Sequence, residues 1–396
     1  MVGSRSIAAP TRSVSVGSPI TFHIAPGQWA GHGRIYHRIC LSLAHAGYAV
    51  HLAAHPSVNG YVAPEVQFHS LGNFGKTTLS WRLMQRLRRS DRAYQLAIRS
   101  NANLFHFYAP EFITWAVRLR RKTNRPVIFD CMEDFEGYAL QRRGIPDLLR
   151  RPLARLVRAQ LRYAVRNVDA VVVSDAGTGK LLEPYARRVL VVHNYPQLAL
   201  FPDPQDRGGT KQFDLTYHGS IPRYHLEVCF AIDEALLARG RHVTWRFIGR
   251  LSETEWFMRE TARRNASQRF IYAGLVAHDQ VAGEVLKARI GIIPLPNLPK
   301  FQHNIPQKLF EFMALRMPVV LSDLPPSRPF VGDGACALMV KPDDPAAYAD
   351  AIIRLLDNPT LCQQMGTEAR RRVEQIYNWE RESSRLLDLY AELLER

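Results

Sequence analysis

A chain of 396 residues, 46% hydrophobic and 22% charged, is too long for one typical core and too apolar to stay disordered, so it predicts two globular domains of roughly 200 residues each. Its longest apolar runs, such as Ala170–Val173, fall far short of the ~20 residues that a membrane-spanning helix needs. The formal net charge of +16 is lopsided: residues 1–200 hold 27 of the 52 Lys+Arg and 11 of the 36 Asp+Glu, which leaves 25 of each for the second half.

That excess is concentrated in Arg82–Arg92, Arg118–Arg125 and Arg142–Arg166, with arginine far ahead of lysine. A guanidinium fork suits phosphate-like partners, so the candidates are an anionic membrane surface, a pyrophosphate-bearing substrate or nucleic acid. Solvated basic helix faces would give the same composition. Five cysteines (Cys40, Cys131, Cys229, Cys336, Cys362) stand in no CxxC or other metal-ligand spacing, which points to free thiols in a reducing cytoplasm and away from structural zinc.

Residues 1–17 carry two Arg and no apolar core region, and read as a disordered tail rather than a signal peptide. Pro19–Ala25 predicts a first strand, Pro26–Gly33 a glycine-rich turn, Arg34–Ala46 a helix closed by Gly47, and Tyr48–Ala53 a second strand. That run opens a Rossmann-like α/β domain. It lacks G-x-G-x-x-G, which excludes the dinucleotide fingerprint. Leu104–Tyr108 reads as a buried strand that carries His106 and Tyr108 to its carboxyl end, where parallel sheets bind ligands; a satisfied core histidine fits as well. The strand Pro126–Asp130 runs into four carboxylates, Asp130, Glu133, Asp134 and Glu136. Such a cluster at a strand end can orient a hydroxyl or act as its base, or Asp134 can simply cap the next helix.

Residues 148–167 predict a basic amphipathic helix, with Leu149, Leu153, Leu156, Val157, Leu161 and Ala164 inward and Arg150, Arg151, Arg155, Arg158 and Arg162 mostly outward. Strands Val168–Ser174 and Arg188–Val192 follow, the latter ending at His193-Asn194-Tyr195-Pro196. A Pro/Gly/Asp-rich break beginning at Pro202 has no apolar periodicity and marks the domain boundary. The expected division is a first domain over 18–201, a linker over 202–212, a second domain over 213–376 and a terminal helix over 377–396.

The second domain restarts with strand Phe213–Tyr217 and the loop His218-Gly219-Ser220-Ile221-Pro222-Arg223, then alternates helices and strands through Gly249-Arg250 and Ile290–Pro294. The stretch from His303 to Asp323 organises the chain: a loop (His303, Asn304, Ile305), Pro306 at a helix start, Lys308 and Glu311 one turn apart, and the buried strand after Pro318. Free N–H groups at that helix start beside a lysine make an anion seat, and a carboxylate one turn deeper can accept bonds from two ribose hydroxyls. An ordinary amphipathic helix with a solvated Lys and Glu has the same spacing.

The string from Pro306 through Lys308-Leu309-Phe310-Glu311 to Pro318-Val319-Val320-Leu321-Ser322-Asp323 resembles the donor-nucleotide motif of GT-B glycosyltransferases, specifically the retaining glycosyltransferase family 4 (glycosyl transferases group 1). The phrase HGRIYHRICLSLAHAGYAV resembles that family's acceptor-side loop and first helix, and YNWERESSRLLDLY its terminal helix, so the likeness covers nearly the whole chain. It implies two Rossmann-like α/β/α domains facing across a cleft, with the C-terminal helix crossing back to the first. It further implies donor binding by Glu311, Lys308, Arg223, Gly219, Ser220, His303, Asn304, Ile305, Pro306 and Arg250. Acceptor contacts would come from Gly31, His32, Gly33, His106, Tyr108 and Asp130, and catalysis would rest on Lys308, Arg223, Glu133 and Asp134. His303 stands where the family often has an acidic residue facing the sugar, and Met132 where it commonly has His.

The activity so implied is sugar transfer from a UDP- or GDP-sugar to a lipid-linked or glycan acceptor, without a cofactor or metal, in building cell-surface polysaccharide. The protein would be cytoplasmic, peripheral on an anionic membrane face, with no nucleic-acid partner. Two other readings remain at this stage: a nucleotide-sugar epimerase of the same fold, and a basic membrane- or nucleic-acid-binding module with a degenerate site.

Overall fold

The computed structural model describes residues 17–56, 63–72, 79–132, 135–141, 146–206, 210–302 and 304–395. Two all-parallel sheets organise them. The first has seven strands: β1 (Ile20–Trp29), β2 (Ala49–His55), β3 (Val66–Ser70), β4 (Leu104–Phe107), β5 (Val127–Cys131), β6 (Ala170–Val173) and β7 (Val189–Val191), in the order β3-β2-β1-β4-β5-β6-β7. The second has six: β8 (Phe213–Ile221), β9 (Trp245–Leu251), β10 (Phe270–Tyr272), β11 (Ala288–Ile293), β12 (Val319–Ser322) and β13 (Leu338–Val340), in the order β10-β9-β8-β11-β12-β13. Strand order reverses at β1/β4 and at β8/β11, and crevices for ligands open beyond the carboxyl ends at such points.

The central strands are near-continuous apolar runs because helices cover both faces. Phe22, Ile24, Phe105, Phe107 and Phe129 pack on one side of the first sheet. On the other side Ile35, Leu52, Leu104 and Ile128 meet the terminal helix Trp379–Leu394. That helix crosses back from the second domain, as the resemblance implies. Its buried face is Trp379, Glu382, Leu386, Leu389, Tyr390 and Leu393, and Trp379 Nε1 donates to Ser42 Oγ at 2.8 Å.

Several local expectations change. β1 does not stop at Ala25 but continues through Pro26 and Gly27 to Trp29, with its register on β2 slipping between Ala25 and Trp29. The helix expected from Arg34 begins as a π-helical stretch, Gly33–Cys40, before the α-turns of Leu41–His45. On that stretch Arg34 and Arg38 are buried rather than solvated. The helix Asp147–Asn167 buries Ala154, Leu161, Ala164 and Val165, whereas Leu149 and Leu156, expected inward, are more than half exposed. Leu161 packs inward among smaller residues that allow close approach, while Leu149 and Leu156 are left outside. Residues 1–16, most of the expected tail, lie outside the described residues.

The segment expected as a loose linker is tied down where it is described. Asp203 receives Arg316 in a two-pronged pair at 2.7 Å on each oxygen, and Arg370 Nη1 donates to the carbonyls of Phe201 and Ala314 at 2.7 and 2.6 Å. Leu389 is fully buried and Leu387 only partly so, which yields a test of the crossing helix. Leu389→Ala should cost about 2–5 kcal/mol in urea unfolding, and Leu387→Ala markedly less.

Candidate active site

A cavity of about 440 Å³ lies at the carboxyl ends of β8 and β9 against the start of the helix Gln307–Ala314. His218, Gly219, Ser220 and Arg250 form the strand-end wall, and Gln307, Lys308 and Glu311 the helical wall. Gly219 and Gly249 face each other across the two strands, both with positive φ (102° and 122°). A Cβ on Gly249 would stand 2.2 Å from the carbonyl oxygen of Gly219, so only glycine fits. Clearing side chains from both strand ends opens the mouth of the cavity.

Lys308 is the cation of this site. Its Nζ rests 3.6 Å from the centroid of the fully buried Tyr217 ring, and among the described residues no carboxylate lies within ion-pair distance of it. Desolvation lowers its pKa to about 7, against the raising effect of Glu311. A half-titrated ammonium held over an aromatic face is poised to gain from an anion, which restores what burial takes away.

Glu311 is anchored on one side and open on the other. His218 Nε2 lies 2.6 Å from its Oε2, Gln307 Nε2 donates to Oε1 at 3.2 Å, and Arg38 reaches over from the first domain to 3.9 Å. Burial alone would raise this carboxyl; the His218 contact, with Arg38 and His278, outweighs it and holds the pKa at about 2. Two carboxylate oxygens offer about four acceptor sites, so the two hydrogen-bonded neighbours leave room for two hydroxyl donors. A second cross-cleft contact sets His37 against His278, the rings tilted by 32° with centroids 4.6 Å apart, and burial followed by the His278 charge lowers His37 to about 4.

The residues singled out in sequence separate into groups. Gly219, Ser220, Arg250, Lys308 and Glu311 come together around the large cavity, with Pro306 as the residue that starts its helix. Asn304 and Ile305 line a second, smaller cavity of about 170 Å³ that shares Gln307 with the first. Arg223 does not join them. Placed as the first residue of its helix, it is drawn outward to Glu227 at 2.8 Å and lies over Trp256 at 4.5 Å. Glu133, Asp134 and His303 lie outside the described residues.

The acceptor-side residues need a larger correction. His106, Tyr108 and Asp130 are fully buried beneath the cleft: His106 Nδ1 meets Tyr390 OH at 2.5 Å, Tyr108 OH meets His23 Nδ1 at 2.7 Å, and Asp130 binds Arg34 Nε at 3.0 and 3.1 Å. They hold the crossing helix and the sheet together instead of meeting a ligand. Arg34 in turn donates to the Val192 carbonyl and to Asn194 Oδ1, fixing the end of β7. His32 caps the π-helical stretch through a 3.4 Å bond from the Ile35 amide, with Gly33 as the first residue of that stretch and Gly31 exposed beside it. His218, Gln307, Arg38 and His278 were missed in sequence. The position of His218, immediately before a glycine at a strand end, was the available signal; the reach of Arg38 across the cleft had none.

Comparison with known proteins agrees with this geometry. The family described as "Glycosyl transferases group 1" matches residues 212–358. A glycogen synthase of Mycobacterium tuberculosis is 23% identical over 246 residues, 60% of this chain and 58% of that protein, so the chain spans somewhat over half of that relative's length. A phosphatidyl-myo-inositol mannosyltransferase of Mycobacterium leprae is 34% identical over 127 residues, 30% of this chain and 32% of that one. The solved structure of Anabaena Alr3699/HepE in complex with UDP-glucose superposes with a TM-score of 0.69 at 11% identity, covering 94% of this chain and 99% of the other. The fold is that of the GT-B glycosyltransferases, two Rossmann-like domains across a cleft. Within it, residues 212–358, which carry the Lys308–Glu311 cavity, are the stretch that matches the glycosyl transferases group 1 family.

The Lys308 ammonium, held at about 7 in the free protein, should rise when a diphosphate settles beside it. Binding of UDP or GDP should therefore take up roughly half a proton at pH 7 and nearly one at pH 8. Affinity should fall as pH climbs above 7. Calorimetry in buffers of different ionisation enthalpy measures the uptake, and Lys308→Met should abolish it.

Proposed function

We propose that this protein is a glycosyltransferase that moves a sugar from a UDP- or GDP-sugar to a lipid-linked or glycan acceptor in the assembly of cell-surface polysaccharide or glycoconjugate. The observation that carries the proposal is the Lys308 cation, without a carboxylate partner among the described residues, beside a half-engaged Glu311 in one cavity at the carboxyl ends of β8 and β9. Glu311 accepts the ribose hydroxyls, and the diphosphate lies along Lys308 and the first N–H groups of the helix Gln307–Ala314. As the bond from the sugar to the diphosphate breaks, negative charge grows on the departing oxygen. A fixed ammonium in a partly desolvated wall stabilises that charge more than water would. In this reading Lys308 does the work a metal would otherwise do, and retention at the anomeric carbon is carried over from the resemblance. Unchanged turnover in excess chelator and an NMR assignment of the product's anomeric configuration test those two points.

The epimerase reading is set aside, because the matched family and the named relatives are glycosyl-transferring proteins. A module with a degenerate site is disfavoured by the intact pairing of Glu311 and the open Lys308. A thermal-shift panel of UDP-, GDP- and ADP-sugars identifies the donor class, since a ligand that binds only the folded form raises Tm with its concentration. Glu311→Ala should weaken the preferred nucleotide by about tenfold or more through loss of two hydroxyl bonds. No shift with any nucleotide would overturn the reading.

A lipid-linked acceptor and a peripheral place on an anionic, cytoplasmic membrane face belong to the same proposal. Support comes from the helix Asp147–Asn167, whose outer side exposes Leu148, Leu156 and Tyr163 alongside Arg151, Arg155, Arg162 and Arg166. An apolar strip edged by arginines is the composition of an interfacial helix. No helix among the described residues is long and apolar enough to cross a membrane. The protein should co-sediment with anionic vesicles at low salt and leave them at high salt, because exposed charges are screened within about 8 Å at physiological ionic strength. Replacing Arg151, Arg155 and Leu156 by Ser should release it; equal binding to neutral vesicles would contradict the assignment.

A further inference from the structure

The smaller cavity, about 170 Å³, lies between the domains at the carboxyl ends of β6 and β7. Ser174, Asp175, His193 and Asn194 line it from the first domain, and Asn304 and Gln307 from the second. Gln307 also borders the larger cavity, so the two spaces adjoin across one side chain at the start of the helix Gln307–Ala314. At roughly 30 Å³ per water, the volume is that of about six waters, room for a single sugar ring and too little for a nucleotide.

The lining offers both donors and acceptors. Asn194 gives its carbonyl oxygen to Arg34 at 2.8 Å, which leaves its amide hydrogens to donate. Gln307 spends an amide hydrogen on Glu311, which leaves its carbonyl oxygen to accept. Ser174 Oγ donates to the Met132 carbonyl at 2.9 Å and can still accept, and the Asn304 amide has no hydrogen-bond partner among the described residues. The charge is one-sided. Asp175 is buried, its oxygens accept from the Thr178 amide at 2.7 Å and hydroxyl at 2.9 Å, and no cation is paired with it among the described residues. No lysine or arginine among the described residues lines the cavity. Arg34, behind Asn194, is held by Asp130 at 3.0 Å, and any positive charge on His193 faces Glu382 at 3.5 Å. Hydroxyls both donate and accept, and so suit this lining. A carboxylate only accepts, and here it would be buried beside Asp175 with no cation to meet it.

We propose that the smaller cavity seats the transferred sugar and selects an uncharged sugar against a uronic acid, with Asp175 as the residue that rejects the acid. The inference rests on the glycosyltransferase reading and narrows it to donors whose sugar carries hydroxyls and no carboxylate. With the ribose on Glu311 and the diphosphate along Lys308 and the helix start, the sugar enters the smaller cavity beside Gln307. Asn194 and Asn304 donate to its hydroxyl oxygens, and Gln307 and Ser174 accept from its hydroxyl hydrogens. In so small a space, a carboxylate in place of the primary alcohol of a hexose sets a second negative charge against Asp175.

The test measures binding to the full chain by calorimetry at pH 7, with probes matched except at the sugar's sixth carbon. The pairs are UDP-glucose and UDP-glucuronate, UDP-galactose and UDP-galacturonate, and GDP-mannose and GDP-mannuronate. In the pair whose neutral member binds best, the acid should bind about tenfold or more weakly. Asp175→Asn removes the charge and keeps a side chain that caps the next helix, and it should cut that ratio by about threefold or more. Asn304→Lys leaves the cap untouched and supplies the missing cation, and it should cut the ratio further or reverse it. An acid bound by the wild type as tightly as its neutral partner would overturn the inference and leave the glycosyltransferase reading standing. A ratio that neither variant moves would do the same. A wild type that binds neither UDP nor GDP would bring down both.

Discussion

The site depends on one desolvated charge. Lys308 lies over the Tyr217 ring at 3.6 Å, facing a cavity and without a carboxylate partner among the described residues. The surrounding structure keeps that charge available. Glu311, one turn along the same helix, is drawn aside by His218, and Gly219 and Gly249 remove the side chains that would otherwise fill the space. Had Glu311 closed on Lys308 as an ordinary i,i+3 pair, both would be neutralised and neither would need a ligand. Keeping them apart costs stability at that point, and the cost shows as an ammonium held near neutrality.

The first domain contributes to the site through an arginine relay. Asp130 holds Arg34, Arg34 holds the end of β7 and Asn194, and Arg38, one turn further along the π-helical stretch, reaches Glu311. Both guanidinium groups are buried, and Arg38 also donates to the Tyr195 carbonyl at 2.9 Å. The wide turn of a π-helix changes which residues share a face, so two arginines four apart can serve neighbouring tasks. Glu382 ties the crossing helix to the same strand end through His193, so the last helix of the chain bears on the cleft as well as on the core.

Sequence made the second domain's cavity wall legible because its parts are local. Lys308 and Glu311 sit three apart on one helix, and Gly219 precedes a Pro-bounded helix start. Arg223 misled for a related reason: a basic residue just after a glycine loop fits a phosphate contact, yet two nearby carboxylates and Trp256 draw it away. His106 and Tyr108 were placed at a strand end, which is where they are, but the crossing helix lays Tyr390 over them. No local pattern reveals that cover, since it comes from 284 residues further along the chain. On the inward face of Asp147–Asn167, periodicity places Leu161 and Ala164 correctly but not Leu149 and Leu156, because leucine counts as core in any periodicity argument while Ala154 and Val165 also pack here.

The central claim is that a half-buried cation reads a diphosphate. The direct measurement compares UDP with uridine, and GDP with guanosine, on wild-type protein and on Lys308→Met. Charge-assisted bonds of about 1.5–3 kcal/mol predict that the better diphosphate binds roughly 10- to 100-fold more tightly than its nucleoside, and that Lys308→Met removes most of that margin. Equal affinity for diphosphate and nucleoside in the wild type, or an undiminished margin in the variant, would contradict the account.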